Sequence, residues 1–355
     1  MTNSFFLNQV LLRFDSNFKK QRTDISAVRL TSDRHLWLGS DETATIERLS
    51  FVDAQNFDEH KQFHVVDFID LPEPEDQEID IEGFAYFDNY LWFVGSHSWK
   101  RKKPKSQHNE IENIARLAKI KTEANRYILG RIPLVGGELF NNCQHPENPD
   151  RQLTAAKLQL TNRGNVLMDA LVEDPHLGYF VDATIPGKDN GFDIEGIAIY
   201  QNRIFLGLRG PVLRGWAMML QIQLEEDGLD VLKLKQIGDN GQLYKKHFVY
   251  LNGLGIRDLC LDGENLLFLA GPTMDLDGPV RLYRLTNGVH LADDVLSKPE
   301  MVMEIPYGDG DDHPEGITLF TEVTETPSVL VVYDAPAAHR LKGEADVLAD
   351  VLRLS

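Results

Sequence analysis

The chain has 355 residues, with 36 lysines and arginines against 55 aspartates and glutamates, which gives a formal net charge of −19. A field of this sign repels nucleic acids and anionic lipid surfaces, so we expect neither as a partner. No apolar run approaches the ~20 residues of a membrane span, and residues 1–14 lack the basic and apolar regions of a secretion signal. We therefore expect a cytoplasmic protein in which Cys143 and Cys260 are free thiols.

A short signature rich in acidic residues and glycine, followed by an apolar strand, recurs five times. The signatures are Asp24–Val28, Asp80–Phe84, Asp193–Ile197, Gly255–Leu259 and His313–Ile317. The apolar strands that follow them are Leu36–Ser40, Leu91–Gly95, Ile204–Gly207, Leu266–Ala270 and Val329–Tyr333. A sheet-sized unit that is repeated several times is typical of a β-propeller. The sequence therefore predicts an all-β protein with a single β-propeller domain over residues 1–355.

Two further strand-like segments in each unit make four strands per blade. The third strands are predicted at Thr45–Leu49, Ala115–Ile120, Met219–Leu224 and Val280–Leu285, and the outer strands at Phe63–Leu71, Tyr127–Leu134, Leu232–Ile237 and Glu300–Pro306. The last unit ends with Ala345–Leu354 as its third strand and has no outer strand. We expect Gln9–Phe14, which has no unit of its own, to pair there and close the ring, because closure limits exposed sheet edges.

The spacing of the signatures leaves the number of blades open. They begin at residues 24, 80, 193, 255 and 313, so the second interval is about twice the others. Residues 136–190, in this interval, are either a sixth blade without the signature or an insertion. Leu153–Leu160 and Asn165–Val172 look helical, which predicts a helical insertion around residues 150–175. We expect five or six four-stranded blades and favour six.

One position of the repeat carries Ser26, Glu82, Glu195, Arg257 and Glu315. Since the innermost strands of a propeller line its channel, these side chains should converge there. Converging carboxylates need a bound cation, a guanidinium such as that of Arg257, or raised pKa values. Oxygen ligands favour calcium or magnesium, so Glu82, Glu195 and Glu315 are the candidate metal ligands. Alternatively, the repeated glutamates bind backbone amides and hold the blades in register.

Basic residues beside the signatures are further candidates for ligand contacts. Arg209 and Arg214 flank a glycine- and proline-containing loop, and arginine forks suit carboxylate or phosphate groups. Lys188 precedes the third signature, and His97 follows the second strand of the second unit. We expect these residues to bind a small anionic molecule at the mouth of the channel, together with Glu82 and Glu315.

Three segments of the chain resemble those of a known bacterial family. They are Asp80–Gly83 with Gly95–Ser98, then Lys188–Gly196, then Gly207–Gly215. They resemble the domain of unknown function 3616 over most of the chain, and this resemblance implies no activity. The segment Asn190–Gly196 is also similar to one motif of esterase-like phytase propellers, which implies phosphoester chemistry with a divalent ion.

Two functions fit these residues. The first is a hydrolase of small phosphoesters or related esters, in which a metal ion, or Arg209 and Arg257, polarises the ester and Glu195 transfers the proton. The second is a non-catalytic propeller that binds a small ligand or a protein, because one fold serves many functions. The sequence contains no Gly-x-Ser-x-Gly elbow and no Walker loop, so these motifs do not indicate a third function.

Overall fold

The second strand of each repeat unit forms the middle of a sheet. The computed structural model describes residues 5–74, 76–238, 241–293 and 295–354, with only the backbone at residue 322. Every residue of the second strand Tyr90–Gly95 is buried. A strand that is apolar on both faces needs a layer on each side of it, because neither face can meet water. The repeat units therefore form sheets that pack face to face.

The main strands form five antiparallel four-stranded blades, numbered 1 to 5, and the first strand of the chain joins blades 5 and 1 in one continuous sheet. From the inner to the outer strand, blade 1 consists of Ile25–Leu30, His35–Ser40, Thr45–Asp53 and Asn56–His64. Blade 2 consists of Ile81–Phe87, Tyr90–Gly95, Leu129–Val135 and Ala156–Leu158. Blade 3 consists of Asp193–Tyr200, Arg203–Gly210, Trp216–Ile222 and Tyr244–Tyr250. Blade 4 consists of Gly255–Asp262, Asn265–Gly271, Val280–Leu285 and Glu300–Ile305. Blade 5 consists of His313–Leu319, Ser328–Asp334, Asp346–Arg353 and Phe6–Leu12.

The inner strands of the five blades contact one another in a closed ring. In order around the ring, the contacts are the Ser26 hydroxyl with the Ile81 carbonyl (2.5 Å), Gly83 with Ile197, Gly196 with Leu259, the Asp258 carboxylate with the Ile317 amide (2.7 Å), and Gly316 with the Ser26 carbonyl. A Cβ atom on Gly83 would lie 3.0 Å from the Ile197 nitrogen. This glycine therefore lets the inner strands of blades 2 and 3 approach directly, and no blade lies between them.

The ring is closed by the first strand of the chain. Phe6–Leu12 pairs antiparallel with Asp346–Arg353 as the outer strand of blade 5. The Gln9 amide donates to Asp350 at 2.9 Å across this pair. Leu11 also bridges to Asn56 at the edge of blade 1, so the same strand connects the first and last blades.

Residues 136–190 extend blade 2 and do not form the sixth blade that the sequence analysis favoured. Ala156–Leu158, predicted as part of a helix, is instead a strand that pairs with Leu129–Val135. Its buried residues alternate with a half-buried lysine, Lys157, and alternation with period two is the pattern of a strand. The second predicted helix is present as α2, Val166–Leu171. The insertion therefore supplies the outer strand of blade 2 and packs a short helical layer beside it.

Three predicted strands of the second and third units differ from the prediction: Tyr127–Leu134, predicted as an outer strand, overlaps Leu129–Val135, the third strand of blade 2, and two others have different structures. Ala115–Ile120 overlaps the helix α1, Glu110–Leu117, which begins at a capping box on Asn109. Leu232–Ile237 is not the outer strand of blade 3, because the hairpin Leu224–Glu226 and Val231–Leu234 crosses to blade 2 and pairs with Ala156–Leu158. The hairpin covers an edge of blade 2 that would otherwise be unpaired.

The remaining elements are short. The helices are α1, α2, α3 (Gly178–Asp182) and α4 (Thr321–Thr324), and the 3-10 turns are Ser16–Phe18, Gln21–Thr23, Val65–Asp67, Ala124–Tyr127 and Gly288–His290. The minor strands are Lys100–Arg101, Ile120–Lys121, Glu138–Leu139, Asn142–His145, Asn148–Thr154, Leu160–Thr161, Gly164–Asn165, Leu296–Ser297 and Leu341–Lys342. None of the helices in the described part of the chain has the length and apolarity needed to cross a bilayer. Cys143 and Cys260 are both free.

Candidate functional site at the channel mouth

The repeat position that carries Ser26, Glu82, Glu195, Arg257 and Glu315 is a β-bulge in every blade. On each inner strand, the pairing with the second strand skips this residue and resumes at the next one. A bulge breaks the ladder locally and re-aims the side chain of the extra residue. Five bulges at one level therefore direct five polar side chains into the channel.

Glu195 lies between two arginines. Its Oε1 atom is 2.6 Å from Nη1 of Arg209, and its Oε2 atom is 3.4 Å from Nε of Arg257. Arg257 also forms an ion pair with Glu315 on blade 5. All four side chains are at most 11% exposed, so these pairs form a buried chain of alternating charge across blades 3, 4 and 5. Buried arginine–carboxylate contacts of this kind are stronger than neutral hydrogen bonds.

Arg209 also joins blade 3 to a loop of blade 4. Its Nε atom donates to the carbonyl of Pro272 at 3.3 Å, and Nη2 donates to Met274 at 3.5 Å. In contrast, the Nη1 group of Arg257 makes no hydrogen bond with the described part of the chain. The guanidinium of Arg209 is therefore fully engaged by protein groups. The guanidinium of Arg257 keeps an N–H₂ group without a hydrogen-bond partner among the described residues.

Arg126 supplies the counter-charge on the other side of the channel. Its Nη2 atom forms an ion pair with Asp80, and its Nη1 atom is 2.8 Å from Glu78. The same guanidinium donates to the carbonyl and the hydroxyl of Ser98, at 3.1 and 2.9 Å. Arg126 comes from the 3-10 turn Ala124–Tyr127, and no motif in the sequence marks it. Sequence reasoning therefore missed it.

The channel holds more carboxyl groups than guanidinium groups. The carboxyl groups are Asp41, Asp80, Glu82, Asp193, Glu195 and Glu315, against Arg126, Arg209 and Arg257. Burial, followed by the charge of Glu195, raises the pKa of Asp193 to about 8. Burial also raises the pKa of Glu315 to about 7, although Arg257 opposes the shift. The site therefore relieves its excess negative charge by holding protons near neutral pH.

Glu82 differs from the other two channel glutamates. It forms no ion pair or hydrogen bond with the described part of the chain. Its side chain lies deep in the channel and is still partly accessible. Burial, and then the charges of Asp80 and Glu195, raise its pKa well above the usual range for a glutamate. Among the channel glutamates, Glu82 therefore combines a raised pKa with a side chain that no described residue engages, so it can exchange a proton with a bound molecule.

A loop of residues 186–191, called the mouth loop, covers part of the channel. The Gly187 amide donates to Trp99 of blade 2 at 2.9 Å, and Asp189 forms an isolated bridge with Met274 of blade 4. A Cβ atom on Gly187 would lie 2.2 Å from Oδ2 of Asp193, so the loop lies directly on this carboxyl group. Asp193 and its neighbours are thus closed off from that side.

Lys188 is exposed on the mouth loop, and its charge acts on Asp41 and Asp334. Burial and the charges of Asp80 and Asp334 raise the pKa of Asp41 well above its usual range, and Lys188 partly offsets this shift. Although burial opposes it, the neighbouring His313 and the charge of Lys188 lower the pKa of Asp334. The charge of Lys188 therefore acts on Asp41 and Asp334, which form the acidic rim of the mouth. It does not act on the ion pairs of Arg209 and Arg257.

His97 and Arg214 are not part of this group. Nδ1 of His97 is 2.7 Å from the carbonyl of Gly95, and Nε2 accepts from the Asn165 amide at 2.7 Å. The ring is 1% exposed, and burial lowers its pKa to about 4, so it is a neutral link between blade 2 and the insertion. Both ring nitrogens are occupied, which argues against the expected ligand contact. Arg214 is exposed in the turn that follows Arg203–Gly210.

The donor set does not fit the expected calcium or magnesium site. Within residues 5–74, 76–238, 241–293 and 295–354, no group of three or more histidine, cysteine, aspartate or glutamate side chains is arranged to hold a metal ion. Two of the three predicted ligands, Glu195 and Glu315, face guanidinium groups that would repel a cation. Glu82, Glu195 and Glu315 therefore do not form a metal triad. The charge of the converging carboxyl groups is instead balanced by arginine pairing and by raised pKa values, the other two alternatives expected from the sequence.

The repeated glutamates do not hold the blades in register by binding backbone amides, as the alternative interpretation expected. None of the three binds a neighbouring amide within the described residues. Other side chains at these levels do bind the backbone of the next blade, namely Ser26 at Ile81 and Asp258 at Ile317. The register contacts and the carboxyl–arginine group are therefore made by different residues.

Three cavities lie away from the channel. One of about 500 Å³ borders Asp174 and Lys246, one of about 490 Å³ borders Trp99 and Tyr127, and one of about 230 Å³ borders Trp92. The charged residues of the channel and these three cavities are thus separate. We base the candidate site on the convergence of charged side chains, because cavity size alone does not indicate chemistry.

Several solved structures are similar to the chain at low sequence identity. Virginiamycin B lyase from Staphylococcus aureus is 11% identical with a TM-score of 0.39, and the match covers 98% of this chain and 100% of that one. A putative gluconolactonase is 10% identical with a TM-score of 0.39, covering 92% and 73%. The PQQ-bound aldose sugar dehydrogenase from Streptomyces coelicolor is 13% identical with a TM-score of 0.39, covering 98% and 97%. At these TM-scores the likeness supports no argument about function.

No curated protein matches the chain. A family model does match it, over residues 24–350, which include all five inner strands and every channel residue described above. The family is described as "Protein of unknown function (DUF3616)". The match covers the great majority of the sequence, and the chain belongs to this family.

Proposed function

We propose that the protein is a hydrolase of small esters that acts at the channel mouth by acid–base catalysis, with Glu82 as the group that transfers the proton. The observation that carries the proposal is the state of Glu82, a partly accessible carboxyl with a raised pKa and no partner in the described part of the chain. A raised pKa lets a carboxyl group keep the proton that a general acid must donate. Perturbed carboxyl groups in a narrow channel are also a common signature of active sites.

The chemistry needs a proton donor and an electrophilic group. In the proposed reaction, water attacks the carbonyl carbon of the ester, and protonated Glu82 gives its proton to the leaving alkoxide as the C–O bond breaks. The proton lost by the attacking water then restores the carboxyl group. The free Nη1 group of Arg257 polarises the carbonyl oxygen. Glu195 takes a different part from the one expected, because its contacts with Arg209 and Arg257 make it a positioning residue for Arg257.

The charge of the channel favours an uncharged ester over a phosphate dianion. Six carboxyl groups against three guanidinium groups already force protons onto the site, so a further double negative charge would be repelled. The proposal therefore departs from the anionic ligand and phosphoester expected from the sequence. It involves no metal ion, since the arrangement of donors does not fit one.

One observation favours a non-catalytic function instead. The chain Arg209–Glu195–Arg257–Glu315 is almost fully buried, and the mouth loop lies directly on Asp193. A group that only holds blades together would be buried in the same way. In that case, the protein would be a binding propeller that recognises a small molecule at the acidic rim, where Asp41 and Lys188 lie.

A panel of chromogenic esters tests the proposal. p-Nitrophenyl acetate and p-nitrophenyl phosphate are each incubated with the wild-type chain, with and without EDTA. We expect turnover of the acetate that EDTA leaves unchanged, and a loss of about 10²- to 10⁴-fold in Glu82→Gln. The control is Glu304→Gln, because this glutamate is 65% exposed on the outer strand of blade 4, where it pairs with Arg281.

The two functions differ in outcome. Turnover that Glu82→Gln does not reduce, with both variants folded by circular dichroism, would exclude Glu82 as the proton-transfer group. Absence of turnover across the panel, combined with a raised melting temperature in the presence of a metabolite that is not an ester, would favour the binding propeller.

A further inference from the structure

A cavity of about 490 Å³ opens between blade 2 and the insertion. Its walls include Trp99, Thr122 and Tyr127 on the blade side, and Leu160, Arg163 and Met168 on the insertion side. This volume is within the range of ~300–1,000 Å³ found for ligand sites. We propose that this cavity binds a small planar molecule that carries a hydrogen-bond acceptor. The proposal does not depend on the hydrolase function of the channel.

The walls of the cavity combine aromatic and aliphatic side chains with polar ones. Trp99 is half-buried, Tyr127 is 7% exposed and Met168 is 4% exposed, so the apolar surface is largely preformed. Aromatic side chains favour offset or edge-to-face contacts with a second ring, and such contacts contribute about 0.5–1.5 kcal/mol beyond the area that they bury. The body of the ligand should therefore be a flat, apolar ring.

The cavity offers hydrogen-bond donors, whereas the two carboxylates in its lining are already engaged: Glu73 accepts from the Ala124 amide at 2.8 Å and Asp182 accepts from Arg163 at 2.9 Å. The shorter hydrogen bond of the Thr122 hydroxyl, 3.0 Å, goes to the carbonyl of Ser98, and its contact with the Tyr127 hydroxyl is a weak 3.4 Å. Since a hydroxyl has one proton to give, the Tyr127 hydroxyl remains available to a bound molecule. Nε1 of Trp99 makes no hydrogen bond with the described part of the chain. Both groups require an acceptor on the ligand.

Arg163 adds a third donor at the rim. Its guanidinium is 2.9 Å from Asp182, and the two side chains are 51% and 67% exposed. An exposed pair of this kind contributes only ~0–1 kcal/mol, so a ligand acceptor can compete for the arginine. A carboxylate is the strongest such acceptor, because it forms charge-assisted hydrogen bonds. The preferred ligand is thus a ring with a carboxylate or an amide carbonyl.

The insertion is fastened to blade 2 beside the cavity, so that the walls are rigid. Asn165, which is fully buried, donates to the carbonyl of Tyr127 and to His97, each at 2.7 Å. Gly164 has a φ of +113°, and a Cβ atom there would lie 2.3 Å from the Tyr127 ring. Glycine is required at this approach, since any side chain would push the insertion away from the ring.

Three probes of equal shape test the chemistry of the ligand. They are 2-naphthoate, 2-naphthamide and 2-naphthylmethylamine, measured with the full chain by saturation-transfer NMR and by tryptophan fluorescence. We expect the acid and the amide to bind at least about tenfold more tightly than the amine, which offers donors in place of an acceptor. Equal binding of all three, or binding of the amine alone, would overturn the proposal.

Variants locate the binding. We expect Trp99→Ala to weaken 2-naphthoate at least about tenfold, and Tyr127→Phe to weaken it about two- to tenfold, which corresponds to one net hydrogen bond. Ala124→Phe adds bulk at the exposed rim without removing a core contact, and should abolish binding even if Trp99→Ala does not fold. Trp216→Ala, on blade 3, is the control and should leave the affinity unchanged. Affinity that Ala124→Phe leaves intact would place the ligand elsewhere and refute the proposal.

Discussion

Glu195 and Arg257 occupy the same bulge position in adjacent blades, and their side chains meet in the channel with Nε of Arg257 3.4 Å from Oε2 of Glu195. The repeat alone would place five like residues at this level. The replacement of glutamate by arginine in blade 4 gives two neighbouring carboxylates a shared counter-charge. Charges thus alternate from Arg209 to Glu315, whereas Glu82 has no ion-pair or hydrogen-bond partner among the described residues.

Arg257→Met tests this counter-charge. The variant leaves Glu315 buried without its arginine and Glu195 with only Arg209, so we expect the free energy of unfolding to fall by about 3 kcal/mol or more. Urea denaturation measures the change. Arg281→Met is the matched control, because its partner Glu304 is 65% exposed and the pair should contribute ~1 kcal/mol or less. Equal, small losses in both variants would contradict a structural role for the channel pair.

Stability should decrease as the pH rises from 6.5 to 8. Burial raises the pKa of Asp193 to about 8 and that of Glu315 to about 7, so the folded state binds protons that the unfolded chain releases. Stabilisation by these groups is complete below their unfolded pKa values of about 4 and is lost as the pH rises through the folded values. His97 acts in the opposite direction, but only below its ordinary value of 6.5. Melting temperatures across this range measure the effect.

Asp193→Asn provides the control for the pH dependence. An asparagine has the shape of the protonated aspartate and cannot ionise, so this variant should show a flatter curve between pH 6.5 and 8. If the curve of the variant matches that of the wild type, Asp193 does not take up a proton on folding.

Asn165→Ala should release the insertion from blade 2. Asn165 accepts from the amides of Leu167 and Met168 at the start of α2, and donates to Tyr127 and His97. Loss of the cap costs about 1 kcal/mol, and the partners left unsatisfied add to this loss. Hydrogen exchange should become faster in residues 160–182 and remain unchanged in blade 4. Uniform acceleration over the whole chain would indicate global destabilisation instead.

Calcium and magnesium should leave the melting temperature unchanged. Ions that bind only the folded state raise stability by mass action, and the donors of the channel are already paired with arginine or hold protons. Differential scanning fluorimetry over a wide range of free ion concentrations, with sodium chloride matched for ionic strength, measures the effect. A rise in melting temperature specific to one divalent ion would restore the metal site predicted from Glu82, Glu195 and Glu315.

The sequence alone was sufficient to indicate the blade unit and its polar position. The apolar second strands and the signatures before them are local patterns, because burial on both faces selects the residues of one strand without reference to its partners. The same patterns showed that Glu82, Glu195 and Glu315 are equivalent. They also left one strand unassigned at residues 9–14, and Phe6–Leu12 completes blade 5.

Only the tertiary structure decided the blade number and the composition of the site. The blade number depends on whether Gly83 meets Ile197, a contact between strands more than 100 residues apart, which local spacing does not report. Ala156–Leu158 and Val231–Leu234 join blade 2 because its edge is free, and free edges are a property of the assembled sheet. Arg126 reaches Asp80 from a turn without a motif. Charge pairing across a channel depends on distances between blades, and these distances exist only once the ring has closed.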